Sequence, residues 1–291
     1  MKNSSTANQS SGTLYVVSTP IGNLEDITLR ALRVLKTVDM IAAENVTHTK
    51  RLCEHYGIKT RLASYHQHNQ KVKAPEFIRR LKSGYDIAIV TDAGTPGISD
   101  PGVYLIDRAV KEEIKVSPVP GPSAVIAAIS ISGFLTKGFV FFGFLPNRQG
   151  KRRKELEKLI SEPKAIVFFE APHRLKSMLT DLRDILDDRE IVMLREMTKV
   201  FEEVVRGPVS EIIAHLTPER IRGEFTLVVA GNSEEEKPQG LGEEVQGRIE
   251  ELLAEKEKSI RDIAHLISGE QGIAYREAYK ECLARRKAHE V

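Results

Sequence analysis

The sequence predicts an α/β protein with two sheet-containing domains, followed by a small helical domain. Three observations carry this prediction: strands alternate with helices over residues 14–120, Gly/Pro-rich loops follow apolar strand-like runs, and a polar linker precedes an all-helical segment. Alternating strands and helices favour a parallel sheet with right-handed crossovers. A chain of 291 residues suits roughly two domains of about 150 residues each.

The first predicted domain covers residues 13–120. Its strands are predicted at 14–18, 39–43, 61–64, 86–91 and 115–119. Its helices are predicted at 27–37, 49–56, 75–83 and 103–112. Small and rigid residues follow the first, fourth and fifth strands, and ligands of open α/β sheets bind at the carboxyl ends of strands. These three loops therefore predict a pocket for a sizeable small molecule.

The second predicted domain covers residues 121–231 and alternates less regularly. Its strands are predicted at 139–144, 165–169, 191–195, 202–206 and 225–230. Its helices are predicted directly after Ser123, which can cap the first of them, and at 151–161, 173–186 and 208–215. The later strands lie close together in sequence, which predicts antiparallel pairs in this sheet.

The last part of the chain is predicted to lie outside both sheets. Residues 232–244 are polar, acidic and interrupted by Pro and Gly, which is typical of a linker. Residues 245–291 predict a small helical domain, with Ser259 and Asp262 as a capping box and a turn at 268–272. Its three short helices fit either a helix-turn-helix or a helical cap on the second domain.

The composition limits the classes of binding partner and the cellular compartment that we expect for this chain. The chain has 43 basic and 41 acidic residues, and this net charge of +2 neither requires nor excludes nucleic acid. Residues 1–12 lack an apolar signal-peptide core and are predicted to be a disordered tail. No apolar run approaches the roughly 18 residues that a membrane span needs, so we expect no membrane partner and a cytoplasmic location. Cys53 and Cys282 are far apart in sequence, which indicates neither a zinc site nor a disulfide.

Basic residues crowd two segments of this nearly neutral chain. The first cluster is Arg148, Lys151, Arg152, Arg153 and Lys154, and the second is Arg276, Lys280, Arg285, Arg286 and Lys287. Each cluster fits either a solvated helix face or a surface that binds a polyanion. Their presence together makes a nucleic-acid partner a reasonable hypothesis.

Polar side chains stand at or near the ends of several predicted strands, where the functional groups of open sheets collect. Glu44, His66, Glu196 and Lys199 are among them. The loop at 19–24 has one glycine where a dinucleotide fingerprint needs three, so a nicotinamide enzyme remains only a weak alternative. The sequence contains no P-loop and no Ser/His/Asp order, and no metal site is predicted.

Seven segments, taken in order, resemble one known family. They are Thr-Pro-Ile-Gly-Asn-Leu-Glu-Asp-Ile-Thr (19–28), Asp-Ala-Gly-Thr-Pro-Gly-Ile-Ser-Asp-Pro-Gly (92–102), Pro-Gly-Pro-Ser-Ala (120–124), Gly-Phe-Leu-Pro (143–146), His-Arg-Leu (173–175), Arg-Glu-Met-Thr-Lys (195–199) and Gly-Glu-Phe-Thr-Leu-Val-Val (223–229). Together they resemble the bacterial ribosomal RNA small subunit methyltransferase I family. This family belongs to the tetrapyrrole-methylase superfamily of S-adenosylmethionine enzymes. The resemblance covers about residues 13–231.

The resemblance implies a class III S-adenosylmethionine methyltransferase fold, with the cofactor in the cleft between two α/β domains. It implies a homodimer that acts on 16S rRNA or the small ribosomal subunit. The expected reaction is 2'-O-methylation of a cytidine ribose, cytidine 1402 of the decoding region. Carried over position by position, the cofactor contacts are Pro20, Asp92, Ala93, Gly94, Ile98, Ser123, Ala124, Ala171, Met197, Phe225 and Thr226.

The chemistry asks for a base near the ribose hydroxyl, because a sulfonium methyl is already activated while the hydroxyl is a poor nucleophile. Glu44, His66 and Glu196 are the candidate bases, with Glu44 ranked first. Lys199 can lower the pKa of the hydroxyl through its charge. Both basic segments, 148–154 and 276–287, are expected to hold phosphates.

One segment departs from the family pattern. The family usually has Ala-Glu-Asp-Thr-Arg after the second strand, whereas this chain has Ala-Glu-Asn-Val-Thr at 43–47. The change removes an arginine and leaves Asn45 and Thr47 without an expected catalytic role. Two other functions stay open on the sequence alone: a tetrapyrrole methyltransferase, which would share the cofactor loops, and a non-enzymatic RNA-binding protein, which would not need them.

Overall fold

A computed structural model describes residues 11–135, 138–232, 243–255, 258–271 and 275–289. The chain forms two compact units, Met1–Gly231 and Asn232–Val291. The first unit contains two five-stranded sheets, and the described part of the second unit contains three helices. Most of the predicted tail (1–12) and most of the predicted linker (232–244) lie outside the described residues.

The first sheet is parallel throughout, as the alternating pattern predicted. Its strands are β1 (Leu14–Val17), β2 (Met40–Ala43), β3 (Leu62–Ser64), β4 (Ile87–Val90) and β5 (Val116–Val119). They lie in the order β3-β2-β4-β1-β5. All residues of β2 and β4 are buried, because helices cover both faces of such a sheet. The carboxyl ends of the five strands therefore meet at one edge.

The helices of the first sheet begin earlier than predicted at two places. They are α1 (Leu29–Thr37), α2 (Val46–His55), α3 (Gln70–Lys82) and α4 (Val103–Lys111). The Asn45 side chain accepts from the backbone N of Thr47 and His48, and this cap starts α2 before residue 49. Helix α3 continues through Pro75, which costs a backbone hydrogen bond. The buried face that includes Phe77 and Leu81 outweighs that cost.

The second sheet is mixed, and the predicted antiparallel pairs are confirmed. Its strands are β6 (Phe139–Phe144), β7 (Ala165–Glu170), β8 (Glu190–Arg195), β9 (Glu203–Pro208) and β10 (Phe225–Val229). They lie in the order β6-β7-β10-β8-β9. Strand β10 is antiparallel to β7 and β8, β8 is antiparallel to β9, and β6 is parallel to β7.

One helix joins the two sheets and brings their loops together. The helices of this region are α5 (Ala124–Ser132), α6 (Gln149–Glu157), α7 (Pro172–Leu186) and α8 (Val209–His215). Helix α5 follows β5 of the first sheet, yet its Val125 and Ala128 pack against Val167 and Val228 of the second sheet. The start of α5 therefore lies where loops of both sheets converge.

The second unit has a hydrophobic core of its own. Helices α9 (Glu243–Ala254), α10 (Ile260–Gln271) and α11 (Tyr275–His289) bury one apolar cluster that includes Ile263, Ile267 and Cys282. The predicted capping box is confirmed, because Asp262 N donates to Ser259 Oγ and Ser259 N donates to Asp262 Oδ2, each at 3.2 Å. The predicted turn at 268–272 is wrong for 268–271, where α10 continues. Gly269 lies in this stretch, and a glycine inside a helix lowers its stability by only about 1 kcal/mol relative to alanine.

Candidate functional site

A cavity of about 270 Å³ is lined by loops of both sheets. The first sheet contributes the loops after β1, β4 and β5, which are the three loops that the sequence singled out. Nine of the eleven residues predicted to hold a cofactor line this cavity: Ala93, Gly94, Ile98, Ser123, Ala124, Ala171, Met197, Phe225 and Thr226. Pro20 and Asp92 are not among the lining residues, although both adjoin the loops that form it.

The loops after β1 and β4 are fixed to each other by their backbones. Thr19 and Gly94 exchange two backbone hydrogen bonds of 2.9 and 3.0 Å, and Thr19 Oγ1 donates to Thr91 O at 3.0 Å. Pro20 follows Thr19 directly and so belongs to the same fixed loop. Gly94 has a φ of +75°, a conformation that an L side chain rarely adopts. This part of the cavity wall therefore carries no side chain at Gly94.

Two glycines mark the places where the loops of one sheet touch those of the other. A Cβ at Gly22 would lie 2.5 Å from Lys199 Cγ and 2.8 Å from Met197 O, which is closer than real Cβ contacts allow. A Cβ at Gly143, in the bulge of β6, would collide with the Ser99 hydroxyl. These close approaches set the separation of the cavity walls.

Glu44 has the electrostatic character of a proton acceptor. It follows β2 and is half-buried, and its Oε2 accepts a 3.2 Å hydrogen bond from Asp92 N. Burial raises the pKa of Glu44, and the Asp92 charge adds to this, while the hydrogen bond and the charge of His66 oppose it. A raised carboxyl pKa favours proton uptake near neutral pH. Glu44 is not among the cavity-lining residues, so it stands beside the cavity rather than in its wall.

His66 stands in a histidine pair near Glu44. Its Nδ1 accepts from His68 N at 3.2 Å, and the two rings lie 5.9 Å apart. His48 Nδ1 lies 3.7 Å from Asp92 Oδ1. Among the described residues, no group of three or more His, Cys, Asp or Glu side chains could hold a metal ion.

Glu196 and Lys199 form a brace at the other side of the cavity. Lys199 Nζ lies 2.8 Å from Glu196 Oε1 and 3.0 Å from Glu224 Oε2, and Glu196 Oε1 also accepts from Glu224 N at 2.9 Å. Partial burial raises the pKa of Glu196, but these contacts outweigh burial and hold the pKa below its usual range. Burial lowers the pKa of Lys199, but the contacts with Glu196 and Glu224 outweigh burial and raise the pKa. This geometry argues against the predicted base role of Glu196 and leaves the Lys199 charge neutralised.

Asp100 was missed among the predicted site residues. It lines the cavity from the loop between β4 and α4. Burial and then the negative charges of Glu44, Asp92 and Glu224 raise its pKa to about 7. A carboxylate in the conspicuous loop at 92–102 was a visible signal, but only the folded chain brings the other three acids around it.

The first basic cluster does not act as one surface, and the prediction is wrong for Arg152. The residue is 3% exposed, and its Nη2 lies 2.6 Å from the fully buried Asp181. Arg153 Nη1 also pairs with Asp181 at 2.9 Å. The exposed members are Arg148, Lys151 and Lys154. In the second cluster, Arg285 pairs with Glu250 and Glu281, while the side chains of Arg276, Lys280 and Lys287 lie outside the described part.

None of the helices in the described part of the chain is both long and apolar enough to cross a bilayer. Cys53 and Cys282 are free thiols buried in separate hydrophobic clusters.

The fold and the cavity define a class of methyltransferase. Residues 13–213 match the family model described as Tetrapyrrole (Corrin/Porphyrin) Methylases. Among solved structures, the methyltransferase CobJ has a TM-score of 0.59 at 18% identity, covering 76% of this chain and 95% of that one. A uroporphyrin-III C-methyl transferase from Thermus thermophilus, complexed with S-adenosyl homocysteine, has a TM-score of 0.56 at 18% identity, covering 75% and 97%. At these identities the likeness concerns the fold.

Sequence relatives narrow the class. Three curated proteins named Ribosomal RNA small subunit methyltransferase I are similar over most of the chain. They come from Halalkalibacterium halodurans (43% identity, covering 93% of this chain and 89% of the relative), Bacillus subtilis (48%, 77% and 77%) and Pseudomonas aeruginosa (42%, 95% and 98%). The chain therefore belongs to the tetrapyrrole methylase family and, within it, to the ribosomal RNA small subunit methyltransferase I family. Membership confirms the predicted recognition, the fold class, the methyltransferase class and the S-adenosylmethionine cofactor.

The residues present fit that cofactor. The cavity combines backbone and small residues with apolar walls such as Phe144, Phe169 and Phe225, which suit an adenosine. Helix α5 begins at its edge, where Ser123 Oγ accepts from Ile126 N at 3.5 Å. A helix N-terminus favours an anionic group, and here it suits the amino-acid carboxylate.

Proposed function

We propose that this chain methylates the ribose 2'-hydroxyl of a cytidine in 16S rRNA, namely cytidine 1402 in the decoding region. The cavity is the observation that carries the proposal, because nine of the eleven residues predicted to contact the cofactor line it. The shared name of the relatives supports small-subunit rRNA as the substrate. The reaction takes place in the cytoplasm, on 16S rRNA or on a small ribosomal subunit.

The protein's part in the reaction is to position the hydroxyl and accept its proton. S-adenosylmethionine, when bound, supplies a methyl group that its positive sulfur has already activated. Glu44 takes the hydroxyl proton, because its raised pKa suits a base and its neighbour Asp92 belongs to the loop that shapes the cavity. The charge of His66 lowers the pKa of Glu44 and so favours its ionised form. Glu196 and Lys199 act instead on the loop that presents Met197 to the cavity.

Arg148, Lys151 and Lys154 hold RNA phosphates in this proposal. All three are exposed on or beside α6, whereas Arg152 and Arg153 are committed to Asp181. Exposed cations of this kind give affinity without reading sequence.

The proposal includes a homodimer. Strand β6 is an edge strand of the second sheet, and Phe139 and Phe142 on it are exposed. Leu135, just before β6 in the chain, is also exposed. An exposed apolar edge strand invites pairing, and a second copy of this chain would cover it. Sedimentation of the purified protein at several concentrations tests this part by itself.

Methyl transfer to three acceptors tests the function. Tritiated S-adenosylmethionine is offered with 30S particles, with naked 16S rRNA and with a porphyrinogen, and we expect label only in the RNA-containing samples. The labelled position should resist alkaline cleavage, because a methylated 2'-oxygen can no longer attack the neighbouring phosphate. Label in the porphyrinogen alone would favour the tetrapyrrole alternative. RNA binding without any transfer would favour the non-enzymatic one.

A further inference from the structure

We propose that Asp100 selects the positive charge of the methyl donor, so that the cavity binds S-adenosylmethionine more tightly than the neutral thioether product. This inference rests on the proposed function, because it concerns the same cavity. It goes further in assigning discrimination between donor and product to one side chain. Asp100 lines the cavity, and nothing in its immediate loop supplies a compensating cation: Gly97, Ile98, Ser99 and Pro101 carry no charge.

Every charged side chain that lines the cavity is acidic. Asp100 belongs to the first sheet's loops, while Glu170 and Glu224 belong to the second sheet. Among the described lining residues there is no Lys, Arg or His. Glu170 is 2% exposed, and its Oε2 has no hydrogen-bond partner within the described chain. Such a wall stabilises a ligand cation and gives no equivalent stabilisation to a neutral ligand.

Asp100 is the lining carboxylate whose ionisation is most open to change. Glu170 is paired with Arg174 at 3.1 Å, and Glu224 is paired with Lys199 at 3.0 Å. Asp100 has no ion-pair partner among the described residues at this range. Its burial and the charges of Glu44, Asp92 and Glu224 bring its pKa to about 7. A bound cation would relieve this crowding of negative charge and lower the pKa.

Positive groups lie near the four acids Asp100, Glu44, Asp92 and Glu224. They act on Glu44, Asp92 and Glu224 rather than on Asp100. Lys199 Nζ contacts Glu224, and His48 Nδ1 lies 3.7 Å from Asp92 Oδ1. His66 acts on the carboxylate that follows β2. Because these side chains lie close to the same acids, a pH dependence has to be assigned to Asp100 by substitution.

Methyl transfer removes the charge that Asp100 recognises. The acceptor oxygen forms its bond to the methyl carbon as the carbon–sulfur bond breaks, and that electron pair stays on sulfur. The hydroxyl proton goes to the base, and the sulfur becomes a neutral thioether. The attraction to Asp100 is lost in the same step, so the geometry favours product release after each turnover.

Calorimetry on the parent protein tests the inference directly. Dissociation constants are measured for S-adenosylmethionine and S-adenosylhomocysteine at pH 6, 7 and 8. We expect the donor to bind roughly 10–100-fold more tightly at pH 8, with a smaller ratio at pH 6, where Asp100 is protonated. Donor binding at pH 7, repeated in buffers of different ionisation enthalpy, should release up to about half a proton. A ratio near one at pH 8, or one that does not change with pH, overturns the inference.

Matched variants assign the effect to one residue. Asp100→Asn should lower the donor-to-product affinity ratio at pH 8 by roughly tenfold and leave S-adenosylhomocysteine binding within a few-fold of the parent. Asp107→Asn is the control, because this exposed acid of α4 pairs with Lys111 at 2.8 Å and does not line the cavity. An unchanged ratio in Asp100→Asn overturns the assignment. If that variant does not fold, the parent pH series decides.

The same data separate this inference from the proposed function. If neither ligand binds the parent protein, the proposed function fails and the inference fails with it. If both bind equally and rRNA is still methylated, only the selection by Asp100 is overturned.

Discussion

At the scale of single residues, the structure separates acids that can accept a proton from acids that are held charged. Glu44 and Glu196 both follow strands and both were candidate bases. Burial raises the pKa of Glu44, whereas contacts with Lys199 and the backbone lower that of Glu196. A base has to be largely ready for proton uptake at the working pH. The two environments therefore assign different tasks to the same side-chain chemistry.

Glu44→Gln keeps the shape of the side chain and removes its basicity. We expect single-turnover methyl transfer to 30S particles to fall by about 10²–10⁴, while S-adenosylmethionine affinity stays close to the parent. Glu54→Gln is the control, because Glu54 is an exposed acid of α2 that pairs with Lys50 at 3.7 Å. His66→Gln and Glu196→Gln run in parallel. Transfer at the parent rate by Glu44→Gln would move the base role elsewhere.

Asp100 should weaken the ligand-free protein at alkaline pH. Its ordinary carboxyl pKa of 3.8 rises to about 7 in the folded chain, so between these values the folded state binds more protons than the unfolded state. The free energy of unfolding therefore falls as pH rises from about 4 to 7. Asp100→Asn removes this loss, and we expect its thermal midpoint to exceed the parent's by a few °C at pH 8 but by less at pH 5. Equal differences at both pH values would contradict the expected fall in the free energy of unfolding as pH rises.

At the scale of elements, the contacts between loops decide the width of the cavity. Gly22→Ala places a Cβ 2.8 Å from Met197 O, and backbone cannot yield as a flexible side chain can. We expect the loops to separate and methyl transfer to fall on the order of 10²-fold, with weaker binding of S-adenosylmethionine and an unchanged circular dichroism spectrum. Gly150→Ala is the control, since a Cβ there meets nothing within 4 Å. Parent-like binding by Gly22→Ala would show that these loops adjust freely.

The sequence predicts strands better than helix starts, for a physical reason. Apolar runs such as 139–144 and 86–91 locate β6 and β4 to within one residue at each end. The run of β4 is continuous because this strand is buried along its whole length. The start of α3 depends on burial of Phe77 and its neighbours, which local rules around Pro75 do not contain.

The same limit explains the two misjudged site residues. Arg152 lies one turn before the buried Leu156 on α6, and this i, i+4 spacing was visible in the sequence. Its partner Asp181 is 29 positions away and was not visible. Asp100 lies in a loop already singled out, yet its raised pKa needs Glu44, Asp92 and Glu224 around it. Motifs therefore located the loops that line the cavity, whereas the ionisation of their acids depends on tertiary contacts that the sequence does not show.

At the scale of the whole molecule, a net charge of +2 means that RNA binding depends on where charges lie. The exposed cations on or beside α6 are Arg148, Lys151 and Lys154. Arg152 has to stay out of any test of phosphate contacts, because removing one partner of a buried ion pair costs about 3–5 kcal/mol of stability. A test that changed all five basic residues would confuse lost binding with lost folding.

Changing Arg148, Lys151 and Lys154 together to Gln should flatten the salt dependence of RNA affinity. Each lost phosphate contact removes roughly 0.7–0.9 log units of affinity change per decade of salt, so three contacts remove about two to three. S-adenosylmethionine binding should stay at the parent value, because none of the three lines the cavity. The control changes Lys36, Lys82 and Lys111, which are exposed on α1, α3 and α4. It removes the same charge from the helices of the first sheet. If both triple variants lower the slope equally, the RNA responds to total charge, and the α6 segment is an ordinary solvated helix face.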